Sequence, residues 1–151
     1  MKKALLITLM CLFILAVSGF AEMETLNLLT DEEAALPEAP KTPFDIARAI
    51  NNGPEIKVVM PEVNKEYRVP LKIVVKFIPQ KGREVDLSKF KVECLKLFAI
   101  DITDRVKPYT TKEGISAQNA NIPPGQYKLR LTIGDSDGGI TQEIFQLKVL
   151  E

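Results

Sequence analysis

Residues 127–149, YKLRLTIGDSDGGITQEIFQLKV, contain the pattern that decides the fold. In the first part, apolar side chains occupy every second position: Tyr127, Leu129, Leu131 and Ile133. Residues 135–139 then supply aspartate, serine and glycine, which favour tight turns, and alternation resumes at Phe145, Leu147 and Val149. Two alternating runs joined by such a turn predict an antiparallel β-hairpin with one buried face.

The same period of two extends upstream of this hairpin. Residues 56–60 form a short alternating run that ends at Pro61, and residues 69–77 form a longer one. A third run includes Phe90, Val92 and Cys94, after which the alternation slips by one residue, which predicts a β-bulge. Short strands are also expected at residues 102–106 and 115–119. About seven strands in roughly 95 residues predict an all-β sandwich.

The amino terminus has the pattern of an export signal. Met1, Lys2 and Lys3 form a positive head, residues 4–17 are almost wholly apolar, and Gly19 and Ala21 are the small residues that suit a signal peptidase. The sequence therefore predicts a signal peptide at residues 1–21 and an exported protein, either periplasmic or extracellular. The alternative is an uncleaved segment that anchors the chain in a membrane.

Between the signal and the first strand, composition predicts a linker. Residues 22–41 are acidic and then rich in alanine and proline, so we expect residues 22–53 to form a flexible tether. Within it, Thr42, Pro43 and Asp45 are typical of a helix start and predict a short helix at residues 42–51. The sandwich domain would then occupy residues 54–151.

Charge and cysteine content limit the classes of partner. Cleavage after Ala21 removes two of the 20 basic residues and none of the 20 acidic residues, which leaves a net charge of −2. No basic patch for nucleic acid is present, and membrane contact is expected only through an uncleaved signal segment. Cys11 leaves with the signal, so Cys94 cannot form an internal disulfide and is expected to be a buried apolar residue.

Six segments resemble, in order, the bacterial immunoglobulin-like and fibronectin type III-like domains of exported proteins. These are residues 54–60, 69–77, 85–88, 101–103, 124–127 and 135–139. The resemblance implies an immunoglobulin-like antiparallel sandwich and makes Tyr127 look like a corner tyrosine, with Gly125 two residues before it and a hydroxyl bonded to the upstream backbone. The chain has no tryptophan, and after removal of Cys11 with the signal it has no cysteine pair, so only the sandwich carries over from antibody domains.

Residue content argues against catalysis. The chain contains no histidine, which removes the commonest general base and the commonest zinc ligand together. The three serines of the mature chain, at positions 88, 116 and 136, lie in no nucleophile motif. We therefore expect a protein that is not an enzyme and needs no cofactor.

The acidic turn leaves one metal alternative open. Asp135 and Asp137 imitate the start of a calcium loop, and Asp101 and Asp104 are the acids that could add ligands. A complete loop would continue with a glutamate, whereas residues 140–145 return to strand. A hairpin turn is therefore the favoured interpretation, and calcium is the alternative.

The loops are the remaining candidates for recognition. Residues 107–114, with Tyr109 and Thr110, and residues 118–122 could contact a protein or glycan partner. The resulting hypothesis is a non-catalytic binding or scaffold module of the bacterial envelope that uses loops or an edge strand. The alternatives are a structural subunit of an envelope assembly and a calcium-binding adhesion domain, and the sequence leaves the oligomeric state open.

Overall fold

A computed structural model describes residues 24–39, 51–62 and 65–151. The signal segment (residues 1–21) and residues 42–50 of the expected short helix lie outside these ranges. Asn51, the last residue of that expected helix, forms an isolated β-bridge with Thr141. Among the residues described, no helix has the length and apolarity to span a membrane.

The first sheet has five strands. Their bounds are β1 (Leu26–Asn27), β2 (Glu55–Met60), β4 (Leu71–Ile78), β7 (Thr110–Thr111) and β8 (Gly114–Asn121). The order is β1-β8-β4-β2, and β7 also pairs with β8. β4 pairs with one edge of β8, so both β7 and β1 pair with the opposite edge of β8. β7 pairs near the start of β8, and β1 pairs near its end.

The second sheet also has five strands. They are β3 (Glu66–Tyr67), β5 (Val85–Leu95), β6 (Ala99–Asp101), β9 (Gly125–Asp135) and β10 (Ile140–Val149), in the order β3-β10-β9-β5-β6. β9 and β10 pair without interruption from Gly125↔Val149 to Gly134↔Ile140. The described chain also has two short α-helices, α1 (Asp31–Ala34) and α2 (Thr103–Val106), and a 3-10 helix at Lys107–Tyr109.

The inward faces of the two sheets form one apolar core, as alternation predicts. Leu71, Val75 and Phe77 come from the first sheet, and Leu131 and Ile133 from the second, all less than a tenth exposed. The rings of Phe77 and Phe90 lie 6.2 Å apart, within the usual range for paired aromatic side chains. The molecule is an all-β sandwich, as predicted.

Two details of the strand prediction were wrong. Residues 102–106 are not a strand: Asp101 Oδ1 accepts a hydrogen bond from the Thr103 amide at 2.9 Å, and the chain turns into α2. Ile102 and Val106 are both buried, and their four-residue spacing suits a helix. The β5–β6 pairing runs regularly through Cys94, and the register shift in β5 lies instead between Asp86 and Lys91.

The prediction of a flexible tether was wrong for residues 26–38. Leu26, Leu28 and Leu29 are 3%, 2% and 5% exposed and belong to the core. Thr30 and Glu33 form a reciprocal capping box that begins α1. This N-terminal segment (residues 26–38) is therefore part of the folded domain, because its leucines and its cap supply the burial and hydrogen bonds that composition alone does not reveal.

Candidate functional site

Tyr127 lies at the start of β9 and fixes the turn before it. Its hydroxyl donates a hydrogen bond to the Pro123 carbonyl at 2.7 Å, and the side chain is 3% exposed. Gly125 has a φ of +152°, and a Cβ on it would lie 3.1 Å from the tyrosine hydroxyl oxygen. The two residues named from the resemblance to immunoglobulin-like domains thus lie next to each other at this turn.

The side chain of Lys96 lies over the ring of Tyr127. Its ammonium lies 4.9 Å from the ring centroid, a cation–π distance, and the residue is 6% exposed. The backbone around it pairs with the N-terminal segment through the Glu38↔Lys96 bridge and a 2.7 Å bond from the Leu97 amide to the Pro37 carbonyl. Burial raises the pKa of Tyr127, so the phenol stays protonated and keeps its donor role.

Asp135 organises the β9–β10 turn. Its side chain is fully buried, and Oδ1 accepts bonds from the amides of Gly139 at 2.7 Å and Asp137 at 3.0 Å. Arg83 donates to Oδ2 at 3.0 Å. Burial alone would raise the pKa of Asp135, but these hydrogen bonds outweigh it and hold that pKa below its usual value. The carboxylate is therefore committed to the turn.

The four acids considered for calcium are not brought together. Asp135 pairs with Val85 and Asp101 pairs with Glu93, so the two acids lie eight positions apart along β5, or about 26 Å. Asp101 Oδ1 accepts a hydrogen bond from the Thr103 amide, and hydrogen bonding by the side chain and then the backbone of Thr103 lowers the pKa of Asp101. Asp104 is exposed in the first turn of α2. The described residues contain no group of three or more acids, cysteines or histidines arranged to hold a metal ion.

The loop residues considered for partner contact have structural positions. Tyr109 is half-buried and packs against the core, and Thr110 Oγ1 donates to the Val106 carbonyl at 2.9 Å. The expected strand at residues 115–119 is part of β8, which continues through residues 120 and 121 where a loop was expected, and Ile122 is 3% exposed. Ile115 and Ala117 are buried in alternation, and a register shift opposite Leu71 and Ile73 then brings Ala120 into the core, so this stretch stays in the sheet.

The described surface has its most exposed large apolar side chains at a place that sequence reasoning missed. Leu97 and Phe98 form the turn between β5 and β6 and are 56% and 59% exposed. Adjacent apolar residues in an extended chain point to opposite sides, so the Leu-Phe pair itself was a signal that one of them must leave the core. We call these two residues the hairpin tip.

The outward face of the second sheet is polar. Glu93 on β5 lies directly opposite Arg130 on β9, with 2.8 Å between Oε2 and Nε, and its other oxygen lies 2.7 Å from Lys91 Nζ. Burial would raise the pKa of Glu93, but the two cations lower it. Cross-strand ion pairs of this kind hold strand register and leave the face hydrophilic.

Two shallow cavities lie outside the core. One of about 310 Å³ is bordered by Tyr127, Leu95 and the polar side chains of Gln126, Lys128 and Gln146, and it adjoins Glu38. The other, about 340 Å³, is lined by Phe77, Ile78 and Val85 with Arg83 and Lys112 at its margin. Each cavity has two glutamates in its lining, Glu38 and Glu66 in the first and Glu84 and Glu113 in the second. Glu66 forms an ion pair with Lys148, and Glu84 forms one with Lys112.

Comparison of the sequence with protein-family models and with curated proteins found no match. The fold is similar to part of the X-ray structure of the endo-β-1,4-mannanase from Thermotoga petrophila, with 13% sequence identity and a TM-score of 0.47. The similarity covers 65% of this chain and 20% of that chain.

Proposed function

We propose that this protein is an exported, non-catalytic binding module of the bacterial envelope, with an immunoglobulin-like sandwich that contacts a protein partner through the hairpin tip. The observation that supports the contact is the exposure of Leu97 and Phe98, at 56% and 59%. Burial of the exposed parts of these two side chains against a partner contributes roughly 1–2 kcal/mol for each, because only a little over half of each side chain is exposed. Aromatic anchors of this kind often dominate protein interfaces.

Strand order supports the immunoglobulin-like part of the proposal. The order β2-β4-β8-β7 in one sheet and β10-β9-β5 in the other is the order expected of immunoglobulin-type sandwiches. The bond from the Tyr127 hydroxyl to the Pro123 carbonyl, at the start of β9, supports it further. In such domains the loops at the ends of the sandwich are common places for contact, and the hairpin tip is one of them.

The absence of histidine in the chain supports a non-catalytic role. Export rests on the signal pattern of residues 1–21. Cleavage after Ala21 predicts a mature protein that begins at Glu22, and amino-terminal sequencing of the protein from fractionated cells tests this. Recovery of the uncleaved chain from the cytosol would contradict export.

A photo-crosslinking amino acid at position 98 tests the contact in living cells. We expect a covalent adduct of discrete mass at position 98 and none at position 81, where Lys81 lies in an exposed turn. The double substitution Leu97→Ser/Phe98→Ser should abolish co-purification of the crosslinked partner, whereas Ile144→Ser, at a site 38% exposed, should preserve it. Equal crosslinking at 98 and 81 would refute the contact.

A further inference from the structure

The N-terminal segment (residues 26–38) behaves as a ligand of the sandwich. β1 adds in parallel to the margin of β8, with Leu26 opposite Ala120 and Asn27 opposite Asn121. The Leu28 amide then donates to the Asn121 carbonyl at 2.9 Å. Addition of a short extended segment to an open sheet margin is a recognised mode of peptide binding.

An ion pair between Arg105 and Glu33 holds the N-terminal segment in place. Arg105 on α2 contacts both oxygens of Glu33 at 2.7 Å, and it also donates to the Leu28 carbonyl at 2.8 Å. A two-pronged guanidinium–carboxylate pair selects both the charge and the orientation of its partner. The pair holds the pKa of Glu33 at about 2, so the carboxylate is charged at neutral pH.

The segment's named partners all come from later parts of the chain. They are the end of β8, Arg105 on α2 and the turn at Lys96 and Leu97. Residues 40–50 join the segment to Asn51, which pairs with β10. Eleven residues can extend to roughly 38 Å, so the connection allows the segment to reach a neighbouring molecule.

We propose that the end of β8, Arg105 and the Lys96–Leu97 turn form an acceptor site for an extended, leucine-rich segment that bears a glutamate, and that a second copy of this chain supplies it. Exchange between copies reproduces every contact made within one copy, and therefore needs no new interface. Because the connection is short, the chain's own segment is present at the acceptor site at a millimolar effective concentration. The monomer therefore predominates in dilute solution.

Two charge reversals in the mature full chain, Arg105→Glu and Glu33→Arg, test this exchange. Each variant alone places like charges at the acceptor site, whether the segment comes from the same copy or from another. In an equal mixture, each segment finds an opposite charge only on the other variant. We expect a one-to-one heterodimer in native mass spectrometry of the mixture, with amide exchange of residues 26–38 at least tenfold slower than in either variant alone.

The matched control is the double variant Arg105→Glu/Glu33→Arg, in which the two residues again have opposite charges within one chain. This variant should be a monomer whose residues 26–38 are protected from amide exchange. If the mixture consists of monomers with unprotected segments, the proposal is wrong. It is equally wrong if each variant alone forms as much dimer as the mixture, or if both variants keep the segment fully protected, because the ion pair would then not select the segment.

A second experiment covers the case in which the reversals prevent folding. In full-length Leu28→Ala, the chain's own segment loses a side chain that is 2% exposed in the native protein. A fluorescent peptide of residues 24–39 should then bind saturably, and Glu33→Arg in the peptide should weaken binding at least tenfold. Absence of saturation at millimolar peptide, or equal binding of the two peptides, would overturn the acceptor site.

Discussion

The β9–β10 hairpin and the N-terminal segment are held in the fold by different kinds of contact. The hairpin has ten paired positions, whereas the segment has two paired positions in β1 and depends on buried leucines and one ion pair. Contacts in the hairpin are close in sequence, while Glu33 and Arg105 are 72 residues apart. Local contacts leave a period in the sequence, and distant ones do not.

The largest expected effect distinguishes the two regions by global stability. Ile133 is fully buried in β9, so Ile133→Ala should lower the free energy of unfolding by about 2–5 kcal/mol. Leu28→Ala removes a similar volume, but its cost is limited to the docking energy of the segment because the segment can open locally. Urea denaturation measures the first, and amide exchange the second. Equal losses of global stability would show that the regions form one cooperative unit.

The turn before the hairpin gives the next largest effect. Gly125→Ala combines a φ of +152° with a contact on the Tyr127 hydroxyl, so we expect a loss of about 1–3 kcal/mol. Gly82 is a matched control: its φ is +81°, but a Cβ there would meet nothing within 4 Å. Gly82→Ala should therefore cost less in thermal melting. Equal costs would mean that the contact with Tyr127 contributes nothing.

Removal of the tyrosine hydroxyl tests the same turn more gently. Tyr127→Phe deletes the bond to the Pro123 carbonyl and keeps the ring under Lys96. We expect a loss of about 1–2 kcal/mol in urea denaturation. Phe145→Leu, at a half-buried site in β10, serves as a control for a small packing change. A neutral Tyr127→Phe would contradict the role assigned to this residue.

The smallest expected effect is a loss of stability of the N-terminal segment at low pH. The pKa of Glu33 falls from its usual 4.5 to about 2, chiefly because Arg105 donates hydrogen bonds to the carboxylate. The charged form therefore adds stability above pH 4.5, and that stability is lost as the pH falls towards 2. The protection factors of the amides of residues 26–38, taken relative to the intrinsic exchange rate at each pH, should fall over this range more in the wild type than in Glu33→Gln. Identical profiles would show that the ion pair adds no stability.

The difference between the two regions also explains what the sequence could reveal. Alternation predicted the hairpin, β2, β4 and β8 because each has one buried face, as Val75 and Leu131 show. It misassigned Ile102 and Val106, because the bond from the Thr103 amide to Asp101 turns the chain there. It also missed the N-terminal segment, although the capping-box pattern of Thr30 and Glu33 was visible in the sequence.

The candidate site was less predictable than the fold. Tyr127 and Gly125 were found through the resemblance to immunoglobulin-like domains, and their contact is local in sequence. The hairpin tip was missed because exposure of Leu97 and Phe98 depends on where β5 ends, and periodicity does not specify that point. The acids considered for calcium remain apart, because their separation is set by strand register.

Amide exchange of Leu28 in the mature chain tests the central claim, that residues 26–38 complete the sandwich. Its amide donates to the Asn121 carbonyl at 2.9 Å, and its side chain is 2% exposed. We predict exchange at least a hundredfold slower than in an unstructured peptide, and faster exchange in Arg105→Ala. Exchange at the unstructured rate in the wild type would contradict the claim and return these residues to the role of a tether.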